Sequence, residues 1–261
     1  MIVVKFGGHA MKDENGGFAK AIAAAQQSGV KIVVVHGGGP QIDAALQEEE
    51  ILSEFVGGFR VTTPEIFEVV ERVLVEEVGP GVVNSLRAAG VNAVALSGRQ
   101  SECLIAAPLR NLVDGSPADL GLVGVITAVN PQAIKSALKG GQVPVISPIA
   151  IDENFKGGLN VNADLAAAAI AGALNADCLI IMTDVAGIYR SWPDTTSLIS
   201  QISHDELDAM KSTFAQGMAP KVKACLDAID GGASAVRIID GTDPSAFAAA
   251  LGNSGGTLVT K

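Results

Sequence analysis

Two stretches constrain this chain more than any others, MIVVKFGGHA at residues 1–10 and KIVVVHGGGP at residues 31–40. Each drives an apolar, β-branched run into consecutive glycines. A run that is apolar at both alternating positions has no face to offer water, so each reads as a strand covered on both sides, as in a parallel sheet flanked by helices. In open parallel sheets ligands collect outside the carboxyl ends of the strands, which is where both glycine clusters fall. Glycine there lets backbone N–H groups approach an anion closely, and the start of a following helix adds its positive end. Each cluster alone is equally a tight turn, since neither fits the Walker A or GxGxxG pattern.

Further strand-like runs at 92–97, 143–147, 178–182 and 235–240 alternate with helical patterns at 17–28, 40–49, 64–78, 80–89, 131–139, 163–174, 204–211 and 220–230. Alternation of this length predicts right-handed crossovers and an α/β fold, a three-layer αβα sandwich with a mostly parallel central sheet. Aromatic residues are only 4% of the chain against 48% hydrophobic, so the core must be built from Ala, Val, Ile and Leu. Residues 103–128 contain glycine-punctuated strands without a helix between them and read as a β-hairpin attached to the main sheet. The Ala-rich helix at 163–174 is the expected division between two halves.

The formal charge of −10 argues against nucleic acid or an anionic membrane as a partner. Cys103, Cys178 and Cys225 lie far apart with no CxxC spacing, which suggests neither a disulfide framework nor a zinc site. Met1 leads straight into a strand, leaving no room for a leader, and no run approaches 18 apolar residues. A cytoplasmic protein with small-molecule partners is the expectation.

Several polar residues stand out by position. Lys5 ends a strand that is otherwise apolar, either as a strand-end charge reaching water or as a cation on the ligand side of the sheet. Lys221 follows Pro220 in the first turn of a helix, where the dipole disfavours a cation unless an anion is near. Asn162 is a candidate N-cap for the 163–174 helix, with Asp164 in its first turn as an ordinary dipole partner. Arg60, in GGFRVTTPEI, would otherwise count as a loop arginine, and TDVAGIY at 183–189 as a polar turn.

Taken in order, VVKFGG, VVVHGGGP, GFRVT, GLVGVITAVNP, VPVISPI, NVNAD, TDVAGIY, GMAPKVKACLDAI and GGTLV resemble the amino acid kinase family, most closely its members that phosphorylate N-acetylglutamate. The resemblance runs along nearly the whole chain. It implies ATP-dependent phosphorylation of the side-chain carboxylate of N-acetyl-L-glutamate, a step of arginine biosynthesis, with Mg2+ carried on the nucleotide phosphates and no metal bound directly by the protein. It implies an acceptor lobe over 1–175 and a nucleotide lobe over 176–261 on one continuous sheet. Lys5 and Lys221 would flank the transferring phosphoryl group, Asp164 would hold both ammoniums, and the N–H groups of Gly8, Gly38 and Gly39 would line the phosphoryl site. Arg60 and Asn160 would bind the acceptor. Lys5, Gly7, Asp184, Val185, Ala186, Gly187, Ile188 and Tyr189, with Thr213, Phe214 and Ala215, would meet the nucleotide.

The stretches SGRQSECL at 97–104 and EEVGPGVV at 76–83 depart from the family pattern; the second lacks an Asn-Lys pair common there. Two other readings share the fold: a kinase of an N-acylated aminoadipate in lysine biosynthesis, and a non-catalytic regulatory protein. An esterase reading of HGGG with GNSGG fails because no histidine follows the serine. A homodimer not inhibited by arginine is expected. Regulated hexameric members of the family carry a helix before the first strand, and here Ile66, Val69, Val70, Val73 and Leu74 form an apolar stripe suited to an interface.

Overall fold

The structure is a computed structural model that describes residues 1–7, 13, 15–154, 157–214 and 217–261. Gly8 and Ala215, expected at the phosphoryl and nucleotide sites, lie outside these residues. The first half runs β1 (Ile2–Phe6), α1 (Gly17–Gln27), β2 (Ile32–His36), α2 (Gly39–Glu48), β3 (Phe55–Val56), β4 (Phe59–Arg60), α3 (Pro64–Arg72), a π turn (Val73–Val78), α4 (Gly79–Ala88) and β5 (Ala93–Ser97). There follow β6 (Leu104–Pro108), β7 (Val123–Val129), α5 (Gln132–Lys139), β8 (Val143–Ser147), β9 (Ile149–Asp152), β10 (Gly158–Val161) and α6 (Ala163–Ala173). The remainder comprises β11 (Cys178–Thr183), β12 (Gln201–Ser203), α7 (His204–Met210), α8 (Ala219–Asp230), β13 (Ala235–Asp240), α9 (Pro244–Leu251) and β14 (Thr257–Thr260).

One eight-stranded sheet in the order β12-β14-β13-β11-β1-β2-β8-β5 carries the molecule. Its pairings are parallel except β13 with β14. Side chains alternate across it. Val3, Val33, Leu179 and Val236 meet one core with α6 and α8, while Val4, Val34, Ile180 and Ile239 meet a second core with α1, α4 and α9. This is the expected three-layer sandwich. Lys5 shares its face with Val3, so the strand's own alternation aims it at α6 and α8. Those helices touch at glycines: a Cβ on Gly172 would stand 2.9 Å from the Gly231 Cα, so neither position has room for a side chain.

Three expectations need correction. Residues 103–128 do not add a hairpin to the main sheet; β6 and β7 join β9 and β10 in a separate closed barrel. Strands β9 and β10 have four residues each and flank a turn, too short to reveal their pairing by pattern. Second, the helix expected over 64–78 is α-helical only to Arg72 and then widens into the π turn. Pro80 offers no N–H and its ring crowds the preceding turn, which the wider winding relieves. Third, Ile66, Val69, Val70, Val73 and Leu74 are all at most 4% exposed within this one chain. The stripe is intramolecular core and gives no ground for a dimer. No described helix is long and apolar enough to cross a membrane.

Candidate active site

Three residues spread over more than two hundred positions meet at the carboxyl end of β1. Lys5 Nζ lies 3.1 Å from Asp164 Oδ1, and Lys221 Nζ donates to Asp164 Oδ2 at 2.9 Å. The Lys5 contact is an ion pair, and Oδ1 accepts no geometrically formed hydrogen bond among the described residues. All three side chains are largely buried, at 11%, 5% and 19% exposure for Lys5, Asp164 and Lys221. Burial alone would raise the Asp164 carboxyl. The two ammoniums outweigh it by charge and hydrogen bonding and hold it below its usual range.

Local sequence puts each group there. Asn162 caps α6, its Oδ1 accepting from the N–H groups of Asp164 at 2.9 Å and Leu165 at 3.3 Å, which fixes Asp164 in the first turn. Pro220 is the second residue of α8, which leaves Lys221 in the helix's first turn. Gly7 is required by Lys5 itself: a Cβ there would sit 2.6 Å from the Lys5 Nζ, because the side chain folds back over its own loop. Two cations on one carboxylate leave an excess positive charge in a desolvated place. An anion such as a phosphoryl group would balance it.

Beside this cluster lies a cavity of about 160 Å³. Gly38, Gly39, Arg60 and Asn160 line it together with Asn162 and Ala163, which lead into Asp164. The Arg60 guanidinium is buried, donating to Asp43 Oδ1 at 2.6 Å and Ser53 Oγ at 2.7 Å and lying 4.6 Å from the Phe55 ring centre. Asn160 Nδ2 donates to Thr62 Oγ1 at 3.1 Å. The far wall comes from the small barrel, through Val123 and Val161. No group of three or more His, Cys, Asp or Glu suited to a metal occurs among the described residues.

Asp184, Val185, Ala186, Gly187, Ile188 and Tyr189 form the loop after β11, on the same carboxyl side of the sheet. Thr213 and Phe214 precede α8. No hydrogen bond or ion pair joins either segment to the lysine–aspartate cluster among the described residues. The loop after β11 is tied elsewhere: the Ile188 N–H donates to Thr257 Oγ1 at 2.8 Å, and that hydroxyl donates to Ile199 O at 2.5 Å. Thr257 is fully buried, and a Cβ on Gly187 would meet its hydroxyl at 2.4 Å. Sequence reasoning passed over Thr257; its only signal was a polar residue opening the terminal apolar run.

His36 was passed over as well. It ends β2 with no exposure, its Nδ1 2.8 Å from Gly37 O and its Nε2 2.8 Å from Ser147 Oγ. Desolvation lowers the imidazole to about 4 even though the hydrogen bond to Gly37 opposes the shift, so it is neutral at ordinary pH.

A mostly parallel sheet that sets two lysines on one buried carboxylate at its carboxyl edge, next to a glycine-lined cavity, defines a protein that binds and handles anionic groups. The model of the amino acid kinase family matches residues 1–240, and the chain belongs to that family. It is 47% identical, over 95% of its length and 80% of the relative's, to a protein of Beutenbergia cavernae named acetylglutamate kinase. A protein of Rhodococcus jostii with the same name is 43% identical over the whole of this chain and 85% of its own. Among solved structures, smu.665 from Streptococcus mutans superposes with a TM-score of 0.82 at 29% identity, covering 99% of this chain and 98% of that one.

Proposed function

We propose that the protein transfers the γ-phosphoryl group of ATP to the side-chain carboxylate of N-acetyl-L-glutamate, giving N-acetylglutamyl 5-phosphate and ADP. The observation that carries this reading is the Lys5–Asp164–Lys221 cluster beside the glycine-lined cavity. The relatives' shared name supports the acceptor.

The chemistry asks little of a base. A glutamyl carboxylate has a pKa near 4.3 and is already ionised at neutral pH. The obstacle is repulsion between two anions, so catalysis rests on in-line positioning and charge neutralisation. Lys5 and Lys221 supply that charge, one on each oxygen of Asp164. Asp164 acts as their holder; with both oxygens facing ammoniums, it is a poor metal ligand. Mg2+ would therefore enter on the nucleotide oxygens, where it draws off charge from the phosphates. Gly38 and Gly39 open α2 and offer N–H groups with a helix end behind them. Arg60 and Asn160 bind the amino-acid end of the acceptor, and residues 184–189 with Thr213 and Phe214 cover the nucleotide. The halves 1–175 and 176–261 then serve as acceptor and nucleotide lobes.

The test is ADP formation measured in parallel with N-acetylglutamate, glutamate and N-acetylaminoadipate, for the native protein and for Lys5→Met and Lys221→Met. Turnover with N-acetylglutamate that falls about 10²-fold or more in each mutant is expected. A clear preference for N-acetylaminoadipate would move the protein to the lysine-type reaction. Near-native turnover in either mutant would remove that lysine from the mechanism.

A further inference from the structure

The proposed chemistry leaves one buried titratable side chain without a task. His36 sits at the end of β2, one residue ahead of the glycines that line the cavity, and every polar atom of its ring is engaged. The Gly37 carbonyl can only accept, so the neutral ring carries its proton on Nδ1 and gives it to Gly37 O at 2.8 Å. Nε2 is then an acceptor facing Ser147 Oγ at 2.8 Å. The Ser147 hydroxyl also lies 3.1 Å from Leu74 O, but it has one proton, and Leu74 O already receives the Gly79 N–H at the end of the π turn. The ring has the stronger claim.

Gly37 O belongs to the peptide whose N–H is that of Gly38. In a trans peptide the two groups point in opposite directions. Fastening the carbonyl to His36, on the α4 side of the sheet, therefore turns the Gly38 N–H toward the side that holds Lys5 and Asp164. The peptide is also held at Gly38, where a Cβ would meet Leu74 Cδ2 at 2.5 Å. Room for the ring comes from Gly79, where a Cβ would stand 3.2 Å from each of His36 Nε2, Ser147 Oγ and Leu74 O. The departure of EEVGPGVV from the family pattern thus includes Gly79, a position close to His36, Ser147 and Leu74 together.

We propose that His36 is a positioning residue: by holding Gly37 O through Nδ1–H, with Ser147 steadying the far side of the ring, it aims the Gly38 N–H at the transferring phosphoryl group. This rests on the phosphotransfer reading given above. His36 touches no substrate. Its contribution is a donor already oriented before reaction, which shows in turnover more than in substrate affinity.

The two amides separate the ring's nitrogens. In His36→Asn the Nδ2 can occupy the place of Nδ1 and still donate to Gly37 O; in His36→Gln the amide reaches toward Ser147 and leaves Gly37 O free. Expected is a kcat about 10- to 100-fold lower in His36→Gln, with KM for ATP and for N-acetylglutamate within about threefold of native. His36→Asn should keep most of its turnover at a similar melting temperature. Near-native kcat in His36→Gln, or equal loss in both variants, overturns the proposal. If the histidine variants fail to fold, Ser147→Ala carries the test, with kcat expected to fall about fivefold and an unchanged kcat overturning it. Native protein is the control: no turnover there sinks the kinase reading and this proposal together, whereas normal native turnover with an unimpaired His36→Gln sinks only the role of His36.

Discussion

Replacing Asp164 with asparagine changes one heavy atom and removes the carboxylate shared by Lys5 and Lys221. All three side chains are under one fifth exposed, so solvent screens the loss poorly. Breaking a buried ion pair from one side costs about 3–5 kcal/mol, since the partners stay buried without compensation. In a chain of this size 1 kcal/mol moves Tm by roughly 2–4 °C, so a fall of about 10 °C is expected. Turnover should drop by about 10²- to 10³-fold, because the ammoniums repel and lose their places at the phosphoryl group. The sign of the pH effect follows from the depressed Asp164 carboxyl. Its stabilisation is present above the unfolded value near 3.9 and is lost as pH falls through the lower folded value. Native protein should therefore lose this contribution in acid, while Asp164→Asn lacks it throughout. A bound nucleotide brings the missing negative charge, so ATP should raise the melting temperature of the mutant more than that of the native protein. Thermal melts with and without ATP, together with steady-state kinetics, test each part. A kcat within tenfold of native and an unchanged Tm would refute the account of Asp164 as the holder of both lysines.

Three further outcomes follow from the geometry. Gly7→Ala places a Cβ where the Lys5 ammonium now sits, and since only the tip of a flexible side chain has to move, kcat should fall about tenfold or more with Tm nearly unchanged. A kcat near native would show that Lys5 tolerates displacement. Arg60→Ala should raise KM for N-acetylglutamate by about 10- to 100-fold, from loss of a charge-assisted bond worth about 1.5–3 kcal/mol, and leave KM for ATP little changed. A rise in KM for ATP instead would reverse the lobe assignment. Thr257→Val orphans the buried Ile188 N–H and should raise KM for ATP several-fold, with Thr257→Ser restoring it; equal changes for both substrates would point to general loosening.

What the sequence disclosed divides by range. Lys5 was legible because a cation ending an apolar strand is locally odd, and Lys221 because proline fixes its place in a first turn. Asp164 read as ordinary dipole pairing until its partners were known; no local pattern joins residues 5, 164 and 221. The family resemblance supplied that link, and the alternation of β1 explains it. The small barrel stayed hidden because β9 and β10 carry too few residues for a period to show, and β12 and β14, of three and four residues, were missed for the same shortness. The π turn was invisible because apolar spacing is nearly the same in α and π windings over six residues. His36 was treated as part of a glycine motif, and its meaning depends on Ser147 and Leu74, contacts made across the fold.

The closed barrel of β6, β7, β9 and β10 has a consequence for how such a protein can change. It supplies one wall of the cavity beside Asp164 through Val123 and Val161, yet among the described residues no strand of it pairs with the main sheet that carries Lys5. On the proposed function, acceptor choice and phosphoryl transfer are built on separately hydrogen-bonded units. Substitutions that reshape the barrel wall can admit a longer or differently branched carboxylate while the lysines and their aspartate keep their places. A scaffold divided in this way can acquire a new substrate without first surrendering its chemistry.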